Sequence, residues 1–176
     1  MGSLAERIAN AFVANTLTQY IGCFIISMIP LIELRGAIPI AHWFKGMNPE
    51  NFNLVLGYVV IAVGNMLPVP FIFFFARKVL EWGKDKKFIG RFFTFCLEKG
   101  HKGGEKLQSK AGRGLFVALL LFVGIPLPGT GAWTGTLAAS ILDMKFKESV
   151  IAVMLGVALA GVIMGVLSAG IFGAIF

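Results

Sequence analysis

Ile29-Pro30-Leu31-Ile32-Glu33-Leu34-Arg35-Gly36-Ala37-Ile38-Pro39 and Ile125-Pro126-Leu127-Pro128-Gly129-Thr130-Gly131-Ala132-Trp133 share one pattern: Ile-Pro-Leu, a short insert, then Gly-Ala. The second stretch begins 96 residues beyond the first, and apolar sequence precedes and follows each. A helix in hydrocarbon must satisfy its backbone groups internally, so proline and glycine breaks survive there only where protein or a watery cavity encloses them. Matching breaks in two halves of a chain are the best sequence pointer to a transport site. The pair predicts a membrane fold of two related halves.

Composition agrees. A 176-residue chain has the length of one soluble domain. A hydrophobic share of 57%, a charged share of 14% and a mean hydropathy of +0.82 exclude that class. Residues 8–32, 51–76, 114–142 and 149–176 contain no Asp, Glu, Lys or Arg. As helices these windows reach roughly 37–44 Å, against a hydrocarbon core of about 30 Å. Residues 1–7 hold one acid and one base with no small-residue cleavage site after a compact apolar run, so no cleavable signal peptide is expected. Cys23 and Cys96 fall in different environments and are expected to form neither a disulfide nor a metal site.

Residues 77–113 form the only long polar stretch. They hold 11 of the 16 Lys and Arg against four acids, an excess equal to the net charge of +7. The positive-inside rule places this connector in the cytoplasm. Beside four apolar windows, its expected partner is the anionic headgroup layer of the bilayer, not nucleic acid. Phe88, Ile89, Phe92, Phe93, Phe95 and Leu97 interleave with Lys86, Lys87, Arg91, Glu98 and Lys99, a pattern suited to an amphipathic helix on the inner leaflet.

Tracing the chain from that anchor gives a topology. Residues 54–76 cross from outside to inside. Lys145 and Lys147 hold the following loop inside, so 114–142 must dip in and return, and 149–176 cross outward. In mirror image, 17–44 dip in from outside. The expected fold is an all-α integral membrane protein in one domain. Its two inverted repeats, 1–76 and 114–176, each consist of a re-entrant helical hairpin plus a transmembrane helix, joined by a basic amphipathic connector. Four or five plain spans kinked at the prolines remain the alternative.

Glu33 and Arg35 lead the candidate site residues, because a charge at bilayer depth costs roughly 2.5–3.5 kcal/mol unless it is paired or wet. Residues two apart do not face each other on a helix, but in a broken turn both reach one cavity. Arg35 would hold a phosphate or carboxylate through its planar fork, and Glu33 would carry the coupling proton. The opposing reading is a structural pair that only locks the hairpin. Pro126, Pro128, Gly129, Thr130, Gly131, Trp133 and Thr134, with Thr136 beyond them, offer free amides and hydroxyls to an anion. A tight hairpin tip would need the same glycines.

Asn65 and His42 are accessory candidates. Asn65 is expected to bond backbone freed by Pro68 and Pro70, or else to face the cavity. His42, beside Trp43 and Lys45, is expected at the interface. Gly161 and Gly165 allow close helix contact, within the fold or in a homo-oligomer. No phosphate loop, HExxH or Cys/His cluster is present, so no enzyme activity, cofactor or metal is expected.

The paired motifs I-P-L-I-E-L-R-G-A-I-P and G-I-P-L-P-G-T-G-A-W-T-G resemble those of the small multidrug export protein family, over nearly the whole chain. That family is prokaryotic and distantly similar to the DedA superfamily, whose members carry an acidic residue near a first re-entrant hairpin and an arginine-bearing Pro-Gly motif in a second. By that likeness Glu33 matches the acidic element and Pro128-Gly129 the second, which here lacks its arginine. The resemblance implies proton- or sodium-coupled secondary transport of an organic or lipid-phosphate substrate in the inner membrane. A non-transporting scaffold or assembly protein is the rival reading.

Overall fold

The computed structural model describes residues 15–84 and 114–174; Cys96, His101 and the aromatic heart of the basic connector lie outside them. The described elements are helices: α1 (Thr16–Met28), α2 (Glu33–Met47), α3 (Leu54–Met66), α4 (Val69–Lys84), α5 (Gly114–Gly124), α6 (Ala132–Ile141) and α7 (Phe146–Phe172). Local chemistry sets several boundaries. The side chain of Asn15 accepts from the Leu17 amide and that of Asn53 from the Leu56 amide, capping α1 and α3. Helix α1 stops where Ile29 turns extended ahead of Pro30, as the residue before proline prefers. Pro68 and Pro70 separate α3 from α4.

The chain divides into two compact units, Met1–Leu67 with Ala158–Phe176, and Pro68–Val157. In the first, α1, α2 and α3 each pack against the other two. Gly64 lets α3 press on α1: a Cβ there would meet the Ser27 side chain and sit 2.7 Å from the Phe24 carbonyl oxygen. In the second, α6 packs against α4 and α5. Gly156 of α7 presses on α5, where a Cβ would lie 2.7 Å from Val123 Cβ and 2.8 Å from the Leu120 carbonyl oxygen. Leu120 and Val123 lie 96 residues beyond Phe24 and Ser27, the spacing of the two motifs. Each unit therefore seats a glycine on the corresponding point of its first hairpin helix.

Around an apolar core, α1 and α3 also bury polar groups while turning large apolar residues outward. Helix α1 buries Gln19, Cys23 and Ser27 completely and exposes Leu17, Ile21 and Ile25. On α3, Val55, Val59 and Val63 are 54–72% exposed while Asn65 is buried. Large apolar stripes facing outward over polar interior residues mark a surface solvated by lipid. Among the described residues, two stretches are long and apolar enough to cross a membrane, Leu54–Phe75 with 22 residues and Phe146–Phe172 with 27. The four hairpin helices have 13, 15, 11 and 10 residues. At 1.5 Å per residue they reach only about 15–22 Å.

Candidate functional site

The first broken segment is a tight, partly strained turn. Ile29 donates to the Ile26 carbonyl at 3.1 Å, Glu33 to Ile29 at 3.0 Å and Gly36 to Ile32 at 3.0 Å. Leu31 and Glu33 adopt left-handed backbone, with φ of 72° and 52°. For residues other than glycine that conformation costs of order 1–3 kcal/mol and persists only where the surroundings impose it. Gly36 is required here, because a Cβ would run into the Ile32 side chain. Pro39, inside α2, has no N–H, so the Arg35 carbonyl cannot receive the usual bond from four residues on.

This turn delivers both charges to the start of α2. Glu33 is 5% exposed and opens the helix, while Arg35 is half-buried. The Glu33 carboxylate attracts the Arg35 guanidinium electrostatically. The left-handed step at Glu33 takes it off the regular helical path, which removes the bar that i, i+2 spacing sets against contact. A carboxylate beside a guanidinium can hold a proton or cation on one side and an anion on the other.

The second broken segment is built differently. Gly129 and Gly131 take φ of 80° and 147°, values that favour glycine. Leu127 donates to the Ile125 carbonyl at 2.8 Å, and the Thr130 hydroxyl lies 2.9 Å from both the Ile125 and Leu127 carbonyl oxygens. Thr136 donates to Ala132 at 2.6 Å. The hydroxyl hydrogens of Thr130 and Thr136 are thus committed to the turn and to α6. Thr134 reaches the Gly131 carbonyl only at 3.5 Å. Gly131 caps α6 without a side-chain bond. Pro128 and Gly129 are exposed, Pro126 and Trp133 half-buried, and Gly131 buried.

His42 is 9% exposed, its Nε2 lies 2.6 Å from the Tyr58 hydroxyl, and its ring stacks on Phe172 at 6.2 Å between centroids. Burial comes from residues 16 and 130 positions further on, which its neighbours Trp43 and Lys45 do not announce. Asn65 is buried and its Oδ1 has no hydrogen-bond partner. Gly161 faces Leu34 and Ile38, and Gly165 faces Tyr58, all within the first unit. Sequence reasoning passed over Tyr58 altogether; the available signal was a lone tyrosine in a charge-free window. Also unannounced is an apolar cavity of about 190 Å³ in the second unit, lined by Leu115, Leu119 and Phe122 of α5, Ala138 and Ala139 of α6, and Met144.

Residues 33–163 match the family described as "Putative small multi-drug export protein". The chain belongs to this family. The matched segment opens on Glu33, part-way through the first turn, and takes in Arg35, His42, Tyr58, Asn65 and the whole of the second turn. Comparison with curated proteins and with solved structures found no significant match. With membership in this family and two crossing-length apolar helices, the chain is a membrane protein of the transporter class.

Proposed function

We propose that this protein is a secondary transporter, coupled to protons or sodium, in which the Glu33–Arg35 turn binds an organic or lipid-phosphate substrate by its anionic group. The observation that carries this reading is Glu33 itself. A carboxylate almost fully buried, in left-handed backbone, beside a guanidinium, costs the fold energy at two levels. A segment that only joined two helices would need none of it. Arg35 supplies the bidentate fork for the anion, and Glu33 exchanges the coupling ion. Within the second unit, the amides at the start of α6 and the ring of Trp133 form a separate candidate contact for an anionic group.

In this reading α1–α2 and α5–α6 are re-entrant hairpins and the two halves are inverted repeats. Three features support it. The hairpin helices fall short of the hydrocarbon thickness, prolines occupy both turns, and a spacing of 96 residues relates the turns as well as the seats of Gly64 and Gly156. The inner membrane, with residues 77–113 in the cytoplasm, follows from the charge bias.

The test is ligand-induced thermal stabilisation of the purified full chain, wild type against Arg35→Ala and Glu33→Gln. The probes are a short-chain phosphatidic acid and tetraphenylphosphonium. A ligand at a hundred times its Kd stabilises by about 2.7 kcal/mol. The lipid phosphate should raise the Tm of wild type and leave Arg35→Ala unmoved. Folded wild type that responds to neither probe would return the weight to a structural scaffold.

A further inference from the structure

We infer that His42 and Tyr58 form a proton-binding site in the first unit, separate from the Glu33–Arg35 turn; its physiological use rests on the transport reading above, but the site itself does not. The pair joins α2 to α3 through a contact of 2.6 Å between Nε2 and the phenol oxygen. The surroundings are shaped to hold it. Gly165 of α7 leaves space for the hydroxyl, since a Cβ there would lie 2.7 Å from it. Phe172 covers the imidazole face, with an interplanar angle of 19°. On the proposed topology the pair lies near the outer end of the membrane. His42 is five residues from the end of α2 and Tyr58 four from the start of α3.

In the neutral state the Tyr58 O–H donates to the Nε2 lone pair, with the ring hydrogen on Nδ1. Proton uptake places a hydrogen on Nε2, which then donates to the phenol oxygen, and the tyrosine hydrogen turns away to another acceptor. The gain is one proton, and no heavy-atom bond breaks. Histidine is the side chain whose charge ordinarily changes between about pH 5 and 8.

The neighbours bear on how that charge is received. Helix α2 carries Lys45 one turn on, bonded to the Pro49 carbonyl at 2.6 Å, and Glu33 and Arg35 at its far end. Helix α1 offers Tyr20, tied to the Asn53 amide at 2.8 Å, and Cys23. Helix α3 offers Tyr58, and the described part of α7 in this unit has no titratable residue. The carboxylate these helices hold among the described residues of the first unit is Glu33, nine residues or about 13 Å along α2. Among the described residues of this unit no carboxylate is seen beside His42, so an imidazolium there forms in apolar surroundings, which loosens the attachment of α2 to α3 and α7. Acid outside the membrane would unlatch the hairpin that carries the substrate turn.

The chain has two histidines and two tyrosines, which makes the test direct. Full-length His101→Gln protein, labelled with ¹⁵N-histidine in lipid nanodiscs, reports only His42. The expected result is a hydrogen-bonded, Nδ1-protonated ring at high pH and uptake of one proton between about pH 5 and 8. The midpoint should move by at least half a unit in Tyr58→Phe, which keeps the ring, and in Gly165→Ala, which displaces the hydroxyl. A ring that stays neutral down to pH 4.5, or a midpoint indifferent to both variants, overturns the proposal. The measurement needs no substrate. Titration without any ligand response would sink the transport reading alone, and ligand response without titration would sink the proton site alone.

Discussion

Leu31 and Asn65 show what single residues contribute. Leu31 sits at φ 72° with its side chain 83% exposed, so it loses little packing when changed. Left-handed backbone costs an ordinary residue roughly 1–2 kcal/mol, and glycine nothing sterically. Leu31→Gly should therefore raise stability by about 0.5–1 kcal/mol in a thermal melt. Leu31→Asn should match it where the turn faces water and fall below wild type where it faces lipid. For Asn65, a buried oxygen without a partner costs about 1–3 kcal/mol. Asn65→Leu should melt no lower than wild type; a clear drop would show that the side chain is engaged through its other atoms. At this scale the sequence was readable where chemistry is local. Glu33 and Arg35 stand out in an apolar stretch whatever folds around them. The contacts of His42 with Tyr58 and Phe172 were not readable, because no pattern within α2 encodes them.

Short helices interrupted at proline frame both turns. The proline and glycine punctuation located both turns, since the effects of a missing N–H and of left-handed backbone reach only a residue or two. The exact seats of helix on helix were not readable, because a glycine stripe looks the same whether it is crowded or open. Gly64 and Gly156 are crowded, with carbonyl oxygens at 2.7 and 2.8 Å from the position of a Cβ, whereas Gly170 has nothing within 4 Å. Gly64→Ala and Gly156→Ala should each cost about 1–3 kcal/mol through overpacking, and Gly170→Ala should leave the Tm unchanged. Equal effects at all three positions would remove the basis for matching the two seats.

Across the whole molecule, membrane character was legible in the charge-free windows, but which stretches reach across was not. Periodicity and hydropathy treat residues 8–32 and 51–76 alike, yet among the described residues only the second yields a stretch of crossing length, Leu54–Phe75, because its two helices follow on across Leu67–Pro68 whereas α1 ends in the Pro30 turn. The burial pattern adds something that hydropathy averages away: Gln19, Cys23 and Ser27 share one buried stripe of α1. Cys23, at 0% exposure, is consequently a ready-made clock. In a Cys96→Ser background a maleimide can reach the remaining thiol only when α1 parts from its neighbours. The alkylation rate, followed by mass as pH or ligand is varied, would time the opening of the hairpin without adding any reporter to the chain.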